Sequence, residues 1–451
     1  MTGRSCAALL RRISAVVTLF SASILLATFL AGCRHSAPEP VTLNYFRLGW
    51  SQPDELPTAQ PLALQFTQKT GIHLKNLPVP ETTLDQLELS RKLLNGGSGP
   101  DVLGVDLIWS GVLADNLTDL RPYLADEMSS LEPKLLRSYT VDGKVVAIPY
   151  SVQVGVLEYR SDLLRQYGYD HPPRTWDELE SMAQRIQKGE RAKGKKDFWG
   201  YVWQGAQTEA LACDALEWQY SSGGGRIIEN DKTISVNNPA AIRAWERARR
   251  WIGSISPPSV VSYQELDTIN VFDSGGAAFN RVWGGTPVTR NGLSRQFHGR
   301  GSLATGKTGY ASMPAGLYAW VGTLGGSGLA VSNRSAHSQE AIELVRFLVH
   351  EQIKTSEEEV RAFASVPQVY GRPAVSEPDE DSGKSRETRS SVISRPSSVT
   401  GRSYEQVTRA YVLAVHSVLT GERQAPAAAA DLEKKLIEIT SFKTGLPKTA
   451  D

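Results

Sequence analysis

Apolar and polar positions along this chain recur at two periods. Val41-Thr-Leu-Asn-Tyr-Phe46 alternates residue by residue, the pattern of a half-buried strand, and Asp101-Val-Leu-Gly-Val-Asp106 reads as a short buried one. Val145–Tyr150 and Val154–Tyr159 predict two further strands. Helical spacing holds over Pro61–Thr70. Thr175-Trp-Asp-Glu178 is a capping box, in which hydroxyl and carboxylate each meet a free backbone N–H. Its helix carries Trp176, Leu179, Ala183 and Ile186 on one face. Asn238-Pro239 opens another, with Ile242, Trp245, Ala248 and Ile252 inward. Ser338–Glu351, Tyr404–Thr420 and Pro426–Ile439 predict three more. This interleaving predicts an α/β architecture, and a chain of this length divides into two lobes. Ser376–Ser403 is rich in Ser, Arg, Pro and acids, and predicts a long exposed or disordered loop.

The longest apolar run is Ile13–Leu30. Arg4, Arg11 and Arg12 precede it and Leu30-Ala-Gly-Cys33 closes it, the layout of an export signal. That close resembles the lipobox of bacterial lipoproteins, which implies cleavage after residue 32 and acylation of Cys33. Residues 33–40, polar and proline-bearing, then form a tether. A plain membrane-spanning anchor is the competing reading, since a run this long just crosses a hydrocarbon core at ~1.5 Å per residue. Ser14, Thr18, Ser21, Ser23 and Thr28 thin it, however, and such an anchor needs no small-small-Cys ending.

Composition narrows the class. The formal net charge of +1 becomes −2 once residues 1–32, with their three arginines, are removed. Without a basic block, a nucleic-acid partner is not expected, because phosphates demand clustered Lys and Arg. Cys6 lies in the signal segment and Cys33 is acylated, so Cys213 stands alone as a small buried hydrophobe without a disulfide. The seven histidines are dispersed, and no metal or cofactor is expected. Gly301-Ser-Leu-Ala-Thr-Gly306-Lys307-Thr308 satisfies the Walker A pattern letter for letter. A P-loop needs a buried strand before it and a helix after it. Leu293–Arg300 is too polar for the first, and Gly309 and Pro314 oppose the second, so nucleotide binding is not expected. Asp106 and Glu209 are the best glycosidase acid pair on offer, but that chemistry needs a carboxyl separation that sequence does not supply.

Ten tryptophans point toward a saccharide. Trp176, Trp245 and Trp251 lie within amphipathic helices and read as core. Trp50, Trp109, Trp203, Trp283 and Trp320 adjoin polar or glycine-rich turns. Trp283, between Arg281 and Gly284-Gly285, suits a cleft wall, where indole packs on sugar C–H faces and polar side chains meet the hydroxyls.

A more specific resemblance runs through Asp142-Gly-Lys-Val-Val-Ala-Ile-Pro-Tyr150, Gly155-Val-Leu-Glu-Tyr-Arg-Ser-Asp-Leu-Leu164 and Pro172-Pro-Arg-Thr-Trp-Asp-Glu-Leu179. With Gly99-Pro-Asp-Val102, Phe279-Asn-Arg-Val-Trp283 and Thr323-Leu-Gly-Gly326, these resemble the extracellular solute-binding proteins of ABC importers, in the trehalose/maltose-binding branch. The resemblance spans residues 41 to 440. It implies a periplasmic-binding-protein type II (Venus flytrap) fold, with two α/β lobes, a multi-strand hinge and an interlobe cleft. The implied lobes are 41–150 plus 310–350 and 151–309 plus 351–451. The implied cleft residues are Asp106 and Trp109 on the first lobe, Gln153 at the crossing, and Gln204, Glu209, Arg281 and Trp283 on the second. Gly325, Gly326 and Ser327 approach from the returning segment. Asp106 would accept two hydroxyls, Arg281 would donate a fork of bonds, and Trp283 would carry the ring face.

This chain departs from the branch at Gln153, Thr208 and Ser327, where Asp or Glu, Tyr, and Trp are the commoner residues. The departures leave the receptor role and bear on the disaccharide. Trp320 either restores the missing aromatic surface or belongs to the core. The expected protein is a non-enzymatic, monomeric lipoprotein of the cell envelope, outside the cytoplasm, that captures a saccharide for an ABC permease. A lipid-anchored glycoside hydrolase and a receptor uncoupled from transport are the alternatives.

Overall fold

A computed structural model describes residues 40–46, 59–80, 83–96, 99–129, 131, 133–285, 307–362 and 389–448. The signal segment, Cys33, Trp50, residues 301–306 of the Walker-like run and residues 376–388 lie outside the described residues.

The strands are β1 (Thr42–Phe46), β2 (His73–Asn76), β3 (Val102–Asp106), β4 (Ile148–Arg160), β5 (Trp199–Val202), β6 (Ala277–Gly285), β7 (Thr308–Ser312), β8 (Ala319–Val331) and β9 (Arg389–Ile393). They form one mixed sheet in the order β2-β1-β3-β8-β4-β6-β5, with β9 paired to β8 and β7 to β4. The main helices are α1 (Ala59–Thr70), α2 (Thr83–Asn95), α3 (Trp176–Ala192), α4 (Glu209–Ser221), α5 (Pro239–Trp251), α6 (Glu265–Asp273), α7 (Ser338–Ala362), α8 (Tyr404–Leu419) and α9 (Ala425–Thr440).

Local chemistry starts the helices where the sequence indicates. Thr175 Oγ1 accepts from Glu178 N–H, while Glu178 Oε2 accepts from Arg174 N–H, so the carboxylate arm of the box lands one residue early. Asn238 Oδ1 accepts from Ala240 and Ala241 N–H at the head of α5. The buried stripe of α5 is Ala241, Ala244, Trp245, Ala248 and Trp251, one residue around from the expected Ile242 and Ile252. In α4, every residue from Ala210 to Gln219 is buried, which makes it a core helix whose Asp214 and Glu217 need internal partners.

Apolar side chains gather on two sides. Phe66, Leu344 and Leu348, with a neighbouring cluster at Phe46, Trp109 and Leu113, fill one side. Trp176, Trp203, Trp218, Trp245 and the inner faces of α8 and α9 fill the other. The two long strands supply both: β4 gives Val154 to the first side and Leu157 to the second, and β8 gives Leu324 and Val321. The expected pair of strands at 145–150 and 154–159 is therefore one strand, Ile148–Arg160. Polar Ser151 and Gln153 interrupt its apolar pattern because they lie where it passes between the cores.

The loop expected over 376–403 is corrected in its second half. Residues 389–393 pair with β8 in parallel, and Ile393 and Arg395 are buried. Ser397–Ser403 then folds against Leu107–Leu113, closely enough that a β-carbon on Gly111 would lie 2.8 Å from Gly401 Cα. Low apolar content hides this segment from sequence reading. Its backbone is satisfied by β8, not by a hydrophobic face of its own.

Candidate functional site

The site is built where β3, β4, β6 and β8 run side by side. In register, Asp106 faces Ser327, Ser327 faces Ser151, Gly325 faces Gln153, and Gln153 faces Gly285. Asp106 ends β3, and its Oδ1 accepts from Ile108 N–H at 3.2 Å, capping the short turn that follows. The Ser151 and Ser327 hydroxyls lie 3.0 Å apart. Gly326 has φ +121°, and a β-carbon there would collide with the Ser151 carbonyl.

Trp283 is half-buried at the end of β6. A β-carbon added to Gly325 would stand 2.8 Å from its Cζ3, so the indole borders bare backbone. Trp283, Gln153, Gly325, Ser327 and Asp106 thus share one stretch of sheet: an aromatic ring, an amide, a hydroxyl and a carboxylate along four adjoining strands.

Glu209 opens α4, and its carboxylate is already engaged. Arg395 Nη1 and Thr408 Oγ1 donate to it, each at 2.9 Å, and the Tyr404 hydroxyl donates as well. Arg395 Nη2 also donates to the Leu324 carbonyl at 3.2 Å. Burial opposes the Arg395 charge, but Cys213, Tyr404, Glu209 and Asp106 around it outweigh burial and hold the guanidinium protonated well above its usual range. Burial and the Glu209 charge push the Tyr404 phenol well up. Sequence reading missed Arg395 because it sits in the serine- and arginine-rich stretch read as loop. Its only signal was the apolar pair Val392-Ile393 just before it.

A cavity of about 640 Å³ lies elsewhere, lined by Arg160, Lys195, Lys196, Asp197, Phe198 and Lys307 at the far end of β4. Its lysines are exposed, and its arginine is paired with Asp162. Among the described residues no group of His, Cys, Asp or Glu is arranged to hold a metal, and no helix is long and apolar enough to cross a membrane.

Residues 49–354 match the family described as bacterial extracellular solute-binding protein. A probable ABC transporter-binding protein of Deinococcus radiodurans is 37% identical, over 83% of this chain and 88% of the relative. The chain belongs to the bacterial extracellular solute-binding proteins. Maltose-bound MalE3 of T. maritima is similar in structure, with TM-score 0.73 and 27% identity over 88% of this chain and all of that one. A tagatose-bound solute-binding protein of Thermotoga lettingae, 20% identical, shares the fold at TM-score 0.71 over 89% of this chain and 100% of that one. The fold is the two-lobe α/β fold of periplasmic sugar-binding proteins.

In this solute-binding protein three expected contact residues are buried among protein partners. Trp109 is a core residue of the first side, 2% exposed. Gln204 is buried, and its amide nitrogen donates to Thr268 Oγ1 and the Arg281 carbonyl, each at 2.8 Å. Arg281 is 0% exposed and pairs with Glu217 and Asp214 at 2.7 and 3.0 Å, so the expected fork of bonds to a ligand is corrected to an internal ion pair. A buried guanidinium needs such partners. Trp203 packs edge-on to Trp218 with centroids 4.9 Å apart, in the core. Trp320 is half-buried and donates its indole N–H to the Arg174 carbonyl at 2.8 Å.

Proposed function

We propose that this protein captures a saccharide between its lobes and delivers it to the permease of an ABC importer. The observation that carries this reading is Trp283, a half-buried indole bordered by Gly325, on the same stretch of sheet as Gln153, Ser327 and Asp106. A flat apolar face with few, fixed polar groups is what a sugar ring requires. The maltose in the MalE3 structure and the maltodextrin named for a Bacillus subtilis relative, 26% identical over 42% of this chain, support the substrate class.

In this reading Asp106, Gln153, Trp283, Gly326 and Ser327 contact the ligand. Glu209 has four acceptor positions and three donors, so it orients the wall and offers at most one further bond. With three donors already on its carboxylate, Glu209 has little reach left for a scissile bond, which argues against the glycosidase alternative. The expected first lobe, 41–150 plus 310–350, is redrawn in this reading: β7 pairs with the far end of β4, and Met313 and Val321 join the second core, so the chain crosses back within β8 near Leu324. Ligand touching both lobes stabilises the closed state by its differential affinity, and the permease reads that closure. Acylation of Cys33 keeps the monomeric receptor at a membrane.

A thermal-melt screen of the protein against mono- and disaccharides tests the substrate class, because a ligand binding only the folded state raises the melting temperature. If amino acids or peptides shift it and no saccharide does, the reading fails.

A further inference from the structure

The best-built polar device in this protein lies one layer behind the proposed cleft. Arg281 is 0% exposed, and its guanidinium carbon stands 4.1 Å from the centre of the Trp283 ring. Two carboxylates of the core helix α4 hold that guanidinium. Glu217 accepts from Nη2 at 2.7 Å and from Nε at 3.3 Å, and Asp214 approaches Nε at 3.0 Å. Glu217 Oε1 also accepts from Thr323 N–H at 2.9 Å, two residues before the Gly325 that borders the indole. One carboxylate therefore fixes both the plate under Trp283 and the strand beside it.

The chain makes room for this arrangement. Gly155 faces Trp283 in register, and a β-carbon there would overlap the Glu217 carboxylate and sit 2.5 Å from Arg281 Nη2. Gln204 ties the same layer down, its amide nitrogen donating to the Arg281 carbonyl and its backbone N–H to Asp214. Removing two carboxylates and a guanidinium from water is costly, and apolar residues of similar volume would serve stability as well. A stability role alone therefore leaves the device unexplained.

Resting on the saccharide reading, we propose that Arg281 is the positioning residue for Trp283. Held by Glu217 and Asp214, it occupies one face of the indole and fixes its plane before any ligand arrives. One face is left for the sugar, and the entropy of ordering the ring is removed from the binding step.

The test needs no ligand. The full chain is labelled with 5-fluorotryptophan, and the ¹⁹F resonance of Trp283 is assigned by its loss in Trp283→Phe. Arg281→Lys keeps the charge and removes the planar stack. The Trp283 resonance is expected to move and to broaden about twofold or more as the ring samples several rotamers, while those of Trp176 and Trp245 stay in place. An unmoved Trp283 resonance overturns the proposal, and so does movement of all the tryptophan signals together, which would make Arg281 a residue of the fold at large. If Arg281→Lys does not fold, Glu217→Gln reads the same signature with the guanidinium present but unsteered. Failure here leaves the saccharide reading standing, and a saccharide screen without a hit leaves this signal unaffected.

Discussion

The Arg395 guanidinium donates to the Glu209 carboxylate at 2.9 Å and so joins the segment after β9 to the first residue of α4. Removing one partner of such a pair leaves the other charge short of donors. Arg395→Met is expected to lower stability by about 2–4 kcal/mol in chemical denaturation, and Arg395→Lys to recover only part of it. A single ammonium cannot serve both Glu209 and the Leu324 carbonyl as a fork does. An unchanged midpoint for Arg395→Met contradicts this account of the site wall.

Two tryptophans separate binding from folding. Trp245 is fully buried and packs edge-on to Tyr411, centroids 5.9 Å apart, so Trp245→Ala should cost about 3–5 kcal/mol and leave ligand response intact. Trp283→Ala should change baseline stability far less and abolish any saccharide-induced rise in melting temperature. Equal behaviour of the two variants would remove Trp283 from the cleft.

Gly325→Ala places a methyl group 2.8 Å from Trp283 Cζ3, and the indole must give way. Because the displaced ring is stacked on Arg281, the melting temperature should fall, though by less than for Trp245→Ala. Saccharide affinity, measured by tryptophan fluorescence, should fall at least about tenfold, some 1.4 kcal/mol. Parental affinity in this variant would show that the ring does not meet ligand in its present pose.

Glu190 gives the protein an acid limb. Burial opposes its charge, but donors from Lys195, Lys193, Tyr167 and Gln166 outweigh burial and hold its carboxyl down at about 2. A carboxyl depressed in the folded state adds stability above its unfolded pKa and loses it as pH falls through the folded value. The contribution should therefore fade between about pH 4.5 and 2. Denaturation midpoints across that window should fall less steeply for Glu190→Gln than for the parent, and parallel curves would contradict the assignment.

How much of this was legible in the sequence varies with distance along the chain. Thr175 and Asn238 announce their helices because a cap is a bond over two or three residues. Trp176, Trp245 and Trp251 declare themselves as core through helical spacing. Arg281 and Gln204 do not, since what commits them is Asp214, Glu217 and Thr268, brought close only by packing α4 and α6 on the sheet. Trp109 misleads for the same reason: its polar neighbours in sequence say nothing of Phe46 and Leu113 around it. Strand β9 is invisible because its partner is β8, far away in sequence.

Titration calorimetry of the full chain with a panel of mono- and disaccharides, run beside amino acids and short peptides, decides whether this protein takes a sugar. At least one saccharide is expected to bind with one-to-one stoichiometry, and Trp283→Ala to remove the heat. Heat from an amino acid or peptide, with none from any saccharide, would contradict it.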